Sequence, residues 1–514
     1  MDLKKHHFTL LILIIIIVAI KFGAQLLQEH MTTIYPIIVF LLLLTVIIFM
    51  IKAKIKISKW AWLIFLIAIV FQMFFMPHNH YFTPDDYWLM EQGKNTALEG
   101  SSQVCHYNIN EERVCSIVKS TGYSSILAIP FLIFGLGNYI AMWFSVIVSS
   151  SLVLFLYLFV KTYLKNERIA LLASFLLIVS NLNVYLSSHV ENINVGIIFI
   201  LISLTFLAFY FREKRLDYHL IAVSSLLISA FIRIEYSLFA IIFLVVYIKM
   251  KKFDNKLLLP LTLMIAIFGL LIAQIKTIAS TGYNAQFSFY NLSQNILGVH
   301  FAWLQIVLLL IAIMGIVLLR KKSIWFVSVY IISVLFYFTW TQTNLYRVMM
   351  LPLVCFLILE GAGLEYISQK NKKIFWVVIL IIIIYFGINH FFLVNSIEDN
   401  KYVIYNTNAL NELDDFEGCY VIVERPVFAT ATTNIKAIHT TDFLWDDIAS
   451  RGLVDSKCVL FFENNYCFED VDGGPGRDEY AMNSTGRCKE LKEKYDLTIQ
   501  KEYKKFNYTI YRLK

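Results

Sequence analysis

The residues best suited by type to do chemistry are two adjacent carboxylates, Asp85 and Asp86, in the stretch His78-Asn79-His80-Tyr81-Phe82-Thr83-Pro84-Asp85-Asp86-Tyr87-Trp88. Like charges side by side repel, and burial penalises them further. Such a pair is kept where it orients, deprotonates or coordinates something. A plainer role is open as well: Pro84-Asp85-Asp86 ahead of 87–98 would cap a helix and set acid on the positive end of its dipole. Three cations complement the acids. Lys119 follows in the same polar stretch, and Arg233 and Arg347 fall at or just inside the ends of apolar runs, where ionised groups are expensive unless used. Snorkelling, or an ion pair of Arg233 with Glu235 or Glu191, would explain them equally well. His189, close to Glu191, could orient an acid, bind metal or simply be structural. The paired acids permit a divalent ion without requiring one, and no organic cofactor is expected.

The elements that must position these residues are mostly membrane helices. The chain has 514 residues, 58% hydrophobic and 16% charged. Soluble domains carry about 45–50% apolar and about 25% charged residues, which excludes a single water-soluble globule. Apolar runs long enough to cross a bilayer lie at 8–28, 34–51, 60–76, 138–160, 169–186, 193–211, 218–233, 236–250, 256–275, 301–319, 323–340, 346–362 and 374–394. The run at 8–28 has no small-residue cleavage site and reads as a retained helix. Lysine and arginine crowd alternate loops, such as those holding Lys52–Lys59, Lys249–Lys256 and Arg320–Lys322. The net charge of +7 therefore reports membrane topology rather than nucleic-acid binding. By the positive-inside rule those loops are cytoplasmic; an odd count of about thirteen spans puts the N-terminus inside and the C-terminus outside.

Of seven cysteines, only Cys355 falls inside a span. Cys105 and Cys115 share the long loop 77–137, while Cys419, Cys458, Cys467 and Cys488 lie in the polar tail. An even number in each outer segment is what disulfides in an oxidising compartment leave. Cys105–Cys115 is the one pair that can be named; zinc is the rival reading for the tail four. The tail, 396–514, reads as a separate small α/β domain of about 115 residues. Its expected strands are 419–424, 458–463, 497–503 and 507–511, and its expected helices 442–451 and 489–495. A turn is expected at 470–477, and sequons stand at Asn291, Asn483 and Asn507.

The loop has a recognisable order. The acid pair opens it, and an amphipathic stretch runs to Gly100. The cysteine pair follows, then Lys119-Ser120-Thr121-Gly122-Tyr123. An apolar stretch at 125–134, too short to span comfortably, closes with Gly135-Leu136-Gly137. This order resembles the first outer loop of the type-C glycosyltransferases, in the branch of the protein O-mannosyltransferases and lipid-A aminoarabinose transferases. Asp85-Asp86 matches the family's acid pair and Lys119 its lysine, with Ser120-Thr121 in place of two prolines. Ser188-His189-Val190-Glu191 is similar to its acidic residue before the next helix. Ile232-Arg233-Ile234-Glu235 resembles its Arg-Pro-Glu turn, and Tyr346-Arg347-Val348-Met349-Met350-Leu351-Pro352 its late Arg-Tyr-Leu-Leu-Pro-like segment. The resemblance covers about 60–395, so 1–59 adds two helices ahead of the usual first span.

The resemblance implies an all-α polytopic membrane domain that moves a sugar from a polyprenyl- or dolichyl-phosphate carrier to an extracytoplasmic lipid, glycan or protein acceptor, inverting the anomeric carbon. Asp85 would be the general base and Asp86 its support. Lys119, Arg233 and Arg347 would gather around the donor phosphate, since arginine offers oxygens a planar fork and lysine a point charge. His189 and Glu191 would support them. Two other functions stay open. Oligosaccharyltransferase-like transfer to protein lacks its Trp-Trp-Asp-Tyr-Gly segment here; a non-enzymatic transporter or scaffold would put polar groups near the midplane.

Overall fold

A computed structural model describes residues 32–75, 84–116, 121–187, 189–243, 303–329, 331, 349–398, 413–416, 418–424, 429–431, 435–463, 467, 484–503 and 508–514. They fall into two compact units. One takes in Met1–Met76, Ser120–Ile126 and Ser145–Leu393, the other Pro77–Lys119, Leu127–Phe144 and Val394–Lys514. In chain order the first elements are α1 (Thr32–Ala53), α2 (Lys59–Phe75), α3 (Pro84–Glu99), β1 (Val104–Tyr107), β2 (Arg113–Ser116), α4 (Thr121–Phe134) and α5 (Asn138–Leu164). Then come α6 (Glu167–Val179), α7 (Asn181–Ser187), α8 (Asn192–Glu213), α9 (Leu216–Ile232), a 3₁₀ turn (Ile234–Phe239), α10 (Trp303–Leu319), α11 (Met350–Lys370) and α12 (Lys372–Glu398).

The first unit is a helical membrane body. Among the described residues α1, α5, α8 and α11 are long and apolar enough to cross a bilayer, and α2, α4, α9 and Ile234–Phe243 are apolar but shorter. The runs at 8–28 and 256–275 lie outside the described residues. Large apolar side chains such as Leu41, Trp62, Leu66 and Leu380 are exposed, as a surface bathed in lipid tails requires. The run expected as one helix at 169–186 is broken. Ser180 is extended (φ −69°, ψ 119°) and separates α6 from α7, and Asn166 caps α6 by accepting from the Arg168 and Ile169 N–H groups.

Helices in lipid gain nothing from burying apolar area against one another, so close packing of small residues holds them. Here α10 and α11 meet through two glycines. A Cβ at Gly315 would lie 1.9 Å from the Leu359 carbonyl oxygen, and one at Gly363 1.8 Å from that of Ile311. On another face Gly361 admits the Ala173 backbone of α6, and Arg168 reaches the buried Glu365 at 3.8 Å. The Ser203 hydroxyl of α8 donates to the Ala222 carbonyl of α9 at 2.7 Å.

The second unit is built on a seven-stranded mixed sheet. The tail supplies β3 (Tyr420–Val423), β4 (Lys436–His439), α13 (Thr440–Trp445), α14 (Asp447–Ser456), β5 (Val459–Glu463), α15 (Ser484–Lys494), β6 (Leu497–Tyr503) and β7 (Tyr508–Leu513). The strand order is β2-β1-β4-β3-β5-β7-β6, so two strands from the loop after α3 extend the tail's sheet. β1 runs parallel to β4 with Tyr107 opposite Ile438, while β3 lies parallel between β4 and β5. Every residue of β3 and β5 is buried, the continuous apolar run expected of central parallel strands. Tyr420, Ile422, Ile438, Phe443, Val459 and Phe461 form the core. The expected helix at 442–451 is two, parted at Asp446, whose carboxylate caps α14 through the Ala449 N–H. Disulfides join Cys105 to Cys115, Cys419 to Cys458 and Cys467 to Cys488, so the tail four are paired rather than gathered as a zinc set; Cys355 is free and buried. The turn at 470–477 and all three sequons lie outside the described residues.

Candidate active site

Pro84 is the first residue of α3, a position where its fixed φ and missing N–H suit a helix start. Asp85 and Asp86 therefore stand in the first turn. Asp86 and Tyr87 are fully buried; the Asp85 side chain lies outside the described residues. The helix closes at Gly100, whose φ of +69° is a left-handed conformation that glycine adopts without strain.

Between these ends α3 is unusual. From Asp86 to Thr96 every residue but Trp88 is buried, although Glu91, Gln92, Lys94, Asn95 and Thr96 are polar. Buried polar groups need partners, and α3 finds them in the loop that follows it and in the tail. Glu91 Oε1 accepts from the Cys105 N–H at 2.9 Å, and its Oε2 accepts from the Thr430 hydroxyl at 2.7 Å. Lys94 donates to the Thr430 carbonyl, and Asn95 Nδ2 to the Gln103 carbonyl at 2.8 Å. Burial pushes the Glu91 carboxyl up to about 7, against the pull of Lys94, of its hydrogen bonds and of Arg113. Gly93 gives this helix its close neighbours, since a Cβ there would come within 3.1 Å of Leu127 and 3.3 Å of Phe131. Sequence reasoning missed Glu91, Lys94 and Thr430. The i, i+3 spacing of Glu91 and Lys94 reads as a solvated helix face; only the fold shows that it is buried.

In the helical unit, His189, Glu191 and Arg233 come from neighbouring helix ends. Glu191 is the N-cap residue of α8, extended at φ −113° and ψ 140°, and 8% exposed. His189 is buried with its ring 4.4 Å from that of Tyr185. Arg233 ends α9 in an extended conformation. Its guanidinium pairs with Glu235, and its Nη1 donates to Asn192 Oδ1, one residue past Glu191, at 3.3 Å. The Asn192 amide in turn reaches the Ile232 carbonyl at 3.5 Å. Thus Arg233 and the start of α8 are tied together. Gly122 makes a further approach possible, because a Cβ there would sit 2.5 Å from the Phe231 carbonyl carbon. The guanidinium is paired with Glu235, the structural alternative that the sequence left open, and keeps 18% of its side chain exposed. Lys119 and Arg347 lie outside the described residues. Among the described residues no group of three or more His, Cys, Asp or Glu side chains could hold a metal ion.

No protein-family model matches the chain, and no curated protein is similar to it. Solved structures are. ArnT from Cupriavidus metallidurans, bound to undecaprenyl phosphate, superposes with a TM-score of 0.57 at 9% identity, covering 89% of this chain and 98% of that one. The oligosaccharyltransferase AglB from Archaeoglobus fulgidus, in complex with an inhibitory peptide and a dolichol-phosphate, has a TM-score of 0.42 at 13% identity over 78% of this chain and 69% of that one. The apo form of the oligosaccharyltransferase from the same organism gives 0.44 at 12%, over 86% and 73%. Among the described residues four helices are long and apolar enough to cross a bilayer, and a superposition that takes in nearly all of ArnT shows that this chain shares the fold of that protein.

Proposed function

We propose that the chain is a membrane glycosyltransferase that takes a sugar from a polyprenyl- or dolichyl-phosphate carrier and attaches it to an extracytoplasmic lipid, glycan or protein acceptor. The observation that carries this reading is an acid pair at the start of a buried polar helix, in a chain whose fold matches a protein solved with undecaprenyl phosphate. Asp85 removes the acceptor hydroxyl proton. The acceptor oxygen then attacks the anomeric carbon as the bond to the carrier phosphate breaks on the opposite face, which inverts that centre. The phosphate leaves with the electron pair, and Lys119, Arg233 and Arg347 balance the charge that develops on it. Asp86 supports Asp85, while Glu191 and His189 border the arginine. A divalent ion at the acid pair would be supported by loss of transfer on chelation and its recovery with added metal.

The direct test is transfer from a radiolabelled polyprenyl-phosphate sugar by the full chain in proteoliposomes. Turnover supports the reading, and its absence across carrier lengths and sugars, together with carrier-lipid movement between leaflets, would favour a transporter.

The reading also requires an orientation. About thirteen spans, arranged as two added helices in 1–59 and a transferase body in 60–395, would leave the N-terminus in the cytoplasm. The domain at 396–514 would then stand outside the plasma membrane. Single cysteines placed at Lys54, Ser101 and Asn464 in a cysteine-free background should react with an impermeant reagent from outside only at the latter two. Outside labelling at Lys54 would reverse the orientation and remove the lipid-donor argument with it.

A further inference from the structure

Thr430 of the tail is gripped from two sides by one face of α3. Its hydroxyl donates to Glu91 Oε2 at 2.7 Å, and its carbonyl accepts from Lys94, three residues along the same helix. The other Glu91 oxygen takes the Cys105 N–H of β1 at 2.9 Å, and Cys105 is itself fixed by its disulfide to Cys115. Glu91, Lys94 and Thr430 are 1%, 7% and 4% exposed. Apolar residues of similar size would hold such a place as stably, so what the polar cluster adds is direction. We propose that Glu91 is a positioning residue through which the tail, by Thr430, and β1, by Cys105, fix the helix that begins at Asp85 and Asp86. The inference rests on the transferase reading, and gives the tail a part in it.

Five residues separate Glu91 from Asp86, about 7.5 Å of helix, so a small tilt at the grip displaces the acid pair. Misplacement of a reacting group by about 1 Å lowers rates roughly 10²-fold. The Cys105 N–H and the Thr430 hydroxyl both donate to the Glu91 carboxylate, which makes the ionised acid the bonded form. The charged groups acting on it are Lys94 of its own helix and Arg113 of β2, and burial outweighs both. The sign for stability follows. An acid raised from 4.5 to about 7 on folding contributes stability in full below the lower value and loses it as pH rises to the upper one. Turnover should instead increase as pH rises through the upper value and the grip becomes ionised. Stability and rate therefore run in opposite directions with pH.

The test uses the full chain in proteoliposomes with a radiolabelled polyprenyl-phosphate sugar, comparing wild type with Glu91→Gln, Thr430→Val and Thr430→Ser. Glu91→Gln and Thr430→Val should lower kcat about 10–100-fold with the donor KM nearly unchanged. Thr430→Ser, which keeps the hydroxyl, should restore most of it. Glu91→Gln should also abolish the rise in rate near neutral pH. Wild-type kcat and an unchanged pH profile in both variants would overturn the proposal. Hydrogen exchange over 84–99 and 104–116 reads the grip without turnover. Faster exchange in Thr430→Val supports the tether, and exchange identical to wild type overturns it. Should wild type transfer no sugar while Thr430→Val loosens 84–99, the transferase reading falls and the tether stands.

Discussion

Replacing Asp85 by asparagine should lower sugar transfer about 10²–10⁴-fold while leaving the donor bound. Asparagine keeps the size and most of the hydrogen bonding of aspartate but has no basic oxygen to take the acceptor proton. Loss of helix capping would cost about 1 kcal/mol, and asparagine caps nearly as well as aspartate. Asp85→Ala is therefore needed beside it; if the acid is there for chemistry, both variants lose turnover alike while their melting differs little. The cations should behave differently. Lys119→Ala or Arg347→Ala should weaken donor binding, because each removes a charge-assisted contact worth about 1.5–3 kcal/mol. Normal transfer by both Asp85 variants with Asp86→Asn inactive would move the base to Asp86, which is fully buried in the first turn of α3. Normal transfer by all three would leave the pair as a helix cap and end the mechanism.

The second large effect is on assembly. A side chain at Gly363 would collide with the backbone of α10, its Cβ 1.8 Å from the Ile311 carbonyl oxygen and 2.7 Å from the carbonyl carbon. Backbone cannot swing aside as a side chain can. Gly363→Val must therefore drive α10 and α11 apart along the seam they also share at Gly315. Overpacking costs about 1–3 kcal/mol where neighbours can yield. At the upper figure the melting midpoint should fall by about 3–6 °C, since the shift per kcal/mol shrinks with size to about 1–2 °C for a chain this long, or the protein should not leave detergent extraction as a single species. Gly387→Ala on α12 is the control. Nothing lies within 4 Å of its added carbon, so its midpoint should equal or slightly exceed that of wild type, alanine being favoured over glycine in a helix by about 0.5–1 kcal/mol. Equal midpoints for the two variants would show that the seam bears no part of the stability.

The helices were legible because apolar length is a strong signal: 34–51, 60–76, 138–160 and 193–211 correspond to α1, α2, α5 and α8 within a few residues. The interruption at Ser180 was not, because nothing in Ile178-Val179-Ser180-Asn181 breaks a helix on its own and the apolar run continues to Leu186. In the tail, β3, β5 and β6 could be read from their β-branched and aromatic runs, whereas β4, only Lys436–His439, is too short to carry a period. The loop strands β1 and β2 were illegible for a deeper reason. Val-Cys-His-Tyr and Arg-Val-Cys-Ser become strands by pairing with each other and, for β1, with a strand more than three hundred residues away. The acid pair and Arg233 could be picked out because charge near an apolar run is conspicuous. Glu91 and Lys94 could not, since burial is a property of the fold and not of their spacing.

The sheet that spans loop and tail also sets a timetable for biosynthesis. Thr430 lies 339 residues after Glu91, so at about 5–20 residues per second a ribosome needs roughly 20–70 s to deliver it after the loop has been made. Throughout that interval the β1 edge waits for β4, and an open edge is a template for pairing with other chains. The hairpin linked by Cys105 and Cys115 is the one piece of the sheet that can close early. Nascent chains stalled before residue 436 should accordingly be the aggregation-prone species, and a folding helper that shields a strand edge should meet this protein in that window.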